Sequence, residues 1–244
     1  MLWQLLSKPL PLEKNDLAIW RVQLPLDQPI PQDQLLSEAE RAEALRFHCE
    51  KARERFIAAR SGLRYLLSHY LSVLPQDLVF EKKSAGKPYL STFPFQFNLS
   101  HSQDEILYVM TWNTEVFLGV DVEAVNAHRD CLNIARRFFI PAEAAALAAL
   151  SFEEQCEAFF HLWTQKEAFV KATGQGLAYG LDRCQVSVRG DAKIIAIEDP
   201  AYAQLPWVAQ KIPLGKSYQA CWVMSEKPYA VHHYQLKIPG YEKR

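Results

Sequence analysis

Two pairs of residues in this chain have the types and spacing that phosphate chemistry needs. Asp121 and Glu123 are two apart at the end of a predicted strand, where Glu123 follows the run Val116-Phe-Leu-Gly-Val-Asp-Val122. Both carboxylates therefore leave one face of that strand, and Val120 and Val122 take the other. Adjacent carboxylates repel unless a cation or bases neutralise them, which suits a hard metal ion; a solvated strand end is the plain alternative. Glu167 and Lys171 are four apart in a predicted helix, within His161-Leu-Trp-Thr-Gln-Lys-Glu-Ala-Phe-Val-Lys171. They share a face with Trp163 and Thr164, while Phe159, Leu162, Phe169 and Val170 suit the buried side. Glu four residues before Lys is equally the favoured order for a surface ion pair.

A third group, Gly86-Lys87-Pro88 followed by Asn98-Leu-Ser100-His101-Ser102, offers a point charge in a turn and donors at a strand end for phosphate oxygens. No Gly-x-x-x-x-Gly-Lys precedes a helix, which excludes a P-loop, and no Gly-x-Ser-x-Gly elbow surrounds Ser100 or Ser102. A structural histidine is the alternative at His101. The fourth group is basic: residues 41–70 hold Arg41, Arg46, Lys51, Arg53, Arg55, Arg60 and Arg64 against Glu43, Glu50 and Glu54. Such a segment suits phosphates or an acidic partner, or is a solvated face. His232 and His233 read as surface residues.

The elements that must position these groups read as α+β. A strand over 17–24 leads into a turn with Pro25, Pro29 and Pro31. Ser37-Glu-Ala-Glu40 resembles a capping box, and a helix runs from Lys51 to about Leu71 until Pro75 stops it. Strands follow over 78–82, 95–99 and 106–112. The second half repeats the plan: a strand at 116–122, helices over 130–138 and 142–173 with a break near Ser151, a stop at Gly174 and Gly176, then strands over 184–188, 193–197, 207–212 and 218–224. Strands separated by helical runs from further strands imply two α+β subdomains of one plan, 1–114 and 115–244.

Composition sets the limits. Among 244 residues, 27 Lys+Arg face 28 Asp+Glu, 49% of residues are hydrophobic and 23% charged. That excludes a disordered chain and disfavours a general nucleic-acid binder, so a polyanion site must come from local clustering. No apolar run is long enough for a membrane span or a signal core. Five cysteines without a Cys-x-x-Cys pair fit neither a disulfide framework nor a zinc ribbon, and imply a reducing, cytoplasmic setting.

In order, Gly86-Lys-Pro88, Asn98 to Ser102, Gly119-Val-Asp-Val-Glu123 and Trp163 to Lys171 resemble the 4′-phosphopantetheinyl transferases. The resemblance is to the long, single-chain class that activates peptide and polyketide synthetases, and it spans about residues 37–190. It implies a pseudodimer of two similar α+β subdomains with the active site in the cleft between them. It also implies a cytoplasmic monomer that moves phosphopantetheine from coenzyme A to a serine of an acidic apo carrier protein, with no nucleic-acid or membrane partner, releasing adenosine 3′,5′-bisphosphate. Asp121, Glu123 and Glu167 match the carboxylates around Mg²⁺. Lys171 matches a residue that offsets charge on the bridging oxygen, and Glu167 is also the candidate to take the serine proton; whether it is ligand, base or both stays open. Ser100, His101, Lys87 and Arg55 match residues that contact coenzyme A, with Lys171 near the same phosphates. Basic residues that some relatives carry near positions 40 and 43 are Glu40 and Glu43 here, which leaves nucleotide anchoring to Arg41, Arg46, Arg53 or Arg60. The alternatives are an inactive coenzyme A or carrier-binding module, and a metal-dependent nuclease, whose Glu-x-Lys would sit on a strand.

Overall fold

The fold comes from a computed structural model, which describes residues 3–24 and 33–236. Pro25, Pro29 and Pro31 lie outside the described residues. In chain order the elements are β1 (Gln4–Leu6), β2 (Leu17–Gln23), α1 (Glu38–Ala44), α2 (Glu50–Leu71), β3 (Glu81–Lys82), β4 (Pro88–Tyr89), β5 (Gln96–Ser102), β6 (Glu105–Thr111), β7 (Leu118–Ala124), α3 (Cys131–Phe138), α4 (Pro141–Ala148), α5 (Phe152–Thr173), β8 (Cys184–Val186), β9 (Ile194–Ile197), α6 (Pro200–Ala203), β10 (Val208–Lys211), β11 (Tyr218–Met224) and β12 (Val231–Leu236). The mixed α+β class follows directly. Two compact units divide the chain: described residues up to Glu81, Pro88–Thr114 and those from Tyr229 onward form the first, and Lys82–Lys87 with Glu115–Pro228 form the second.

In the first unit five strands run in the order β1-β12-β2-β6-β5. The expected 115–244 subdomain is corrected here, because β12 returns to pair in parallel with both β1 and β2. His232 and His233 are therefore sheet residues: His232 Nε2 meets Asp16 Oδ2 at 2.8 Å, and the His233 ring lies edge-on to Trp3. The predicted capping box is present, Ser37 N–H donating to Glu40 Oε2 at 3.0 Å and Glu40 N–H to Ser37 Oγ at 3.3 Å. Leu63, Leu66 and Leu67 of α2 share one core with Trp20 of β2 and Tyr108 and Met110 of β6.

The second unit builds a three-stranded antiparallel sheet, β10-β11-β7, with α5 against it. The two units share a plan. In each, the first strand of the trio pairs with the last, the last pairs with the one before it, and a 22-residue helix (α2 or α5) lies between first and second in sequence. The predicted break near Ser151 is the gap between α4 and α5, where Ser151 Oγ donates to Glu154 Oε2 at 2.8 Å. Gly174 ends α5 in the left-handed region, at φ 72°.

Candidate active site

The site begins with a glycine. Gly119 of β7 faces α5 so closely that a Cβ there would collide with the Ala168 carbonyl oxygen and stand 2.5 Å from the Ala172 nitrogen. Only a residue without a side chain lets the strand and helix backbones meet this way. Strand alternation then aims Asp121 and Glu123 at the same side as Gly119. Glu167 and Lys171 each precede one of the two helix alanines against which Gly119 packs. The carboxylates of β7 and the Glu/Lys pair of α5 are thereby brought together.

Their interactions are specific. Lys171 Nζ donates to Asp121 Oδ1 at 2.7 Å, with the Asp121 side chain 4% exposed and that of Lys171 30%. Lys171 thus pairs across to the strand carboxylate. Burial lifts the Glu167 carboxyl to about 7; the Asp121 and Glu123 charges push the same way, and Lys171 opposes them. Among the described residues, no three His, Cys, Asp or Glu side chains form a ready-made metal cage. The donor set nevertheless fits a divalent cation: the Asp121 and Glu123 charges raise the proton affinity of Glu167, and a bound cation would relieve that repulsion.

The neighbouring motif residues turn out to be structural. Lys166 is fully buried, and its ammonium is satisfied by Glu143 Oε2 at 2.8 Å and the carbonyls of Leu181 and Cys184. Gln165 Oε1 accepts from Lys193 N–H and Ser187 Oγ, while its amide donates to His161 Nε2 at 3.1 Å. Glu143, which sequence reasoning missed, also accepts from Val186 N–H at 2.8 Å. The only signal for it was a carboxylate two residues after Pro141, a helix-start position.

Lys87, matched in sequence to a coenzyme A contact, is anchored to two backbone carbonyls. Its ammonium donates to the carbonyls of Leu118 at 2.8 Å and Ala172 at 3.1 Å, clamping β7 to the carbonyl-rich end of α5. Desolvation, helped by Lys83, lowers it to about 7. The remaining expected ligands belong to the first unit. Ser100 and His101 end β5, Ser100 buried and His101 exposed, and Arg55 Nε donates to Lys51 O at 3.3 Å on α2. Within the basic segment, Arg64 is a buried structural cation, bound to Glu40 Oε2 at 2.6 Å and to Leu78 O at 3.1 Å. An acid at position 40 is thereby explained: it caps α1 and neutralises Arg64.

Comparison with known proteins decides the family. Residues 117–230 match the 4′-phosphopantetheinyl transferase superfamily, and residues 30–111 match the family described as 4′-phosphopantetheinyl transferase, N-terminal. HetI of Nostoc sp., named a 4′-phosphopantetheinyl transferase, is 40% identical over 183 residues, covering 71% of this chain and 76% of HetI. The chain belongs to the 4′-phosphopantetheinyl transferase family. The transferase psf-1 of Bacillus pumilus is 32% identical over 230 residues, 90% of this chain and 94% of that one. Sfp of Bacillus subtilis is 29% identical over 182 residues, 72% and 79%. The two matched segments divide this transferase as the long class requires. Among the described residues, no helix is long and apolar enough to cross a membrane.

Proposed function

We propose that the transferase moves the 4′-phosphopantetheine group of coenzyme A to a serine of an apo carrier protein, with magnesium, and releases adenosine 3′,5′-bisphosphate. The observation that carries this reading is the gathering of Asp121, Glu123, Glu167 and Lys171 where Gly119 lets β7 and α5 touch. Asp121, Glu123 and Glu167 would hold Mg²⁺, which when bound supplies positive charge to the pyrophosphate. Lys171, exposed enough to leave Asp121, neutralises charge that develops on the bridging oxygen. Glu167 takes the serine proton, directly or through a water; its raised proton affinity suits a base working near neutral pH.

Arg55, Ser100 and His101 are assigned to the nucleotide phosphates, His101 to the 3′-phosphate. Lys87 is assigned instead to holding β7 and α5 in register. An acidic carrier would be drawn by the exposed Arg41, Arg46 and Lys51 of the first unit. We place the chain in the cytoplasm as a monomer, a setting that its five free cysteines suit.

The test is intact-mass spectrometry of apo carrier domains incubated with the protein, coenzyme A and Mg²⁺. The carrier serine gains one phosphopantetheine mass, and a chelator abolishes the gain. No gain on a panel of fatty-acid, polyketide and peptide carriers refutes the enzyme reading and leaves a binding module.

A further inference from the structure

Away from the carboxylate–lysine cluster, the second unit brings two cysteines into contact. Cys131 opens α3 and is buried, and Cys156 lies near the start of α5 and is partly exposed. Cys156 packs against the apolar cluster that holds Cys131, close enough for the two thiols to influence one another's protonation, and the Cys156 thiol donates to the Asn126 carbonyl oxygen at 3.2 Å. That same carbonyl accepts Arg129 N–H at 3.1 Å, and Cys131 N–H donates to Arg129 O at 2.8 Å. The Cys131 backbone and the Cys156 sulfur are therefore both held at a single turn, 126–131, just beyond the end of β7 at Ala124.

We propose that Cys131 and Cys156 are a thiol–disulfide modification site, closing into a reversible intramolecular bond when the protein meets a low-molecular-weight disulfide such as oxidised glutathione. Disulfides that do occur in reducing compartments are of this transient kind. Cys156 is the reachable sulfur and acts first. It releases its proton and attacks the oxidant, whose S–S bond breaks; one glutathione thiolate leaves and a mixed disulfide remains. Cys131 then releases its proton and attacks Cys156 Sγ, the mixed bond breaks, and the second thiolate leaves. Two protein thiols are oxidised and one glutathione disulfide is reduced to two thiols. Burial, reinforced by the neighbouring Cys156, pushes the Cys131 thiol up to about 12. That fits it for the second, intramolecular attack rather than the first. The Arg129 guanidinium pulls the other way and favours a thiolate here.

The bond would tie the first residue of α3 to α5 and close a segment of chain between positions 131 and 156. A closed loop of that length raises the melting temperature by about 5 °C or more. The whole chain is treated with oxidised glutathione, digested without reductant and mapped by mass spectrometry, and its melting temperature is read before and after. A Cys131–Cys156 cross-linked peptide that dithiothreitol removes is expected, together with the thermal rise. In Cys156→Ser both disappear, while the reduced variant melts with the reduced wild type. Glutathione adducts on Cys156 without the cross-link overturn the proposal, as does an equal thermal rise in Cys156→Ser. The wild-type cross-link is decisive even if that variant folds poorly.

Discussion

Replacing Gly119 by alanine tests whether direct contact of β7 with α5 holds the site together. The added methyl would stand 2.5 Å from the Ala172 nitrogen and 3.0 Å from its Cα, and would overlap the Ala168 carbonyl oxygen. All three are backbone atoms of a 22-residue helix, so no side chain can swing away. Ordinary contact is restored only if α5 retreats by about 1 Å, a shift of the size that costs about 100-fold in rate. It would stretch the 2.7 Å bond between Lys171 and Asp121 beyond hydrogen-bonding reach. Overpacking of this kind costs about 3 kcal/mol. Urea unfolding and carrier transfer are measured together on Gly119→Ala, with Gly190→Ala as the control. Gly190 has φ 76°, and a methyl added there would meet nothing within 4 Å, so that change costs about 1 kcal/mol of backbone strain and leaves transfer intact. A Gly119→Ala protein with native stability and native transfer would show that the close contact is not what holds the site.

Three further outcomes follow from the second unit. His161 accepts a hydrogen bond from Gln165, and burial, with Lys211 adding, lowers it to about 4 from an ordinary 6.5. Because the fold holds the neutral ring, His161 contributes full stability above pH 6.5 and loses about 3 kcal/mol as pH falls to 4. Urea titrations across that window should show a shallower slope in His161→Gln; equal slopes would contradict it. Lys166→Met strands Glu143 in the core and costs about 4 kcal/mol, and adding Glu143→Gln recovers part of that loss in thermal unfolding. Lys171→Ala lowers turnover about 100-fold or more, a larger effect than the stability lost by stranding Asp121; the reverse pattern would make Lys171 a plain structural ion-pair partner.

Local rules made much of this readable. The Ser37–Glu40 capping box, the break before α5 and the glycine that ends it were legible because each depends on a few neighbouring residues. The shared face of Asp121 and Glu123 needed only strand alternation. β12 escaped because Val-His-His-Tyr-Gln-Leu carries little strand signal of its own; its backbone pairs with β1 and β2, more than 200 positions earlier. The burial of Lys166 and Gln165 escaped for a related reason. A charged or amide residue on a helix reads as exposed until its partners, Glu143 and the 181–193 segment, are folded around it. The Lys87 motif pointed to a loop cation, and only tertiary contact directs it to two carbonyls.

The role of Glu167 is the sharpest point to test, by the single-turnover rate of carrier modification in Glu167→Gln beside the wild type, at matched folding and saturating magnesium and coenzyme A. Glutamine keeps the shape and removes the charge from the carboxylate that burial and Asp121 hold near 7. The rate should fall about 100-fold or more, as expected when a proton acceptor and ligand is lost. A rate within about twofold of the wild type would remove Glu167 from both roles.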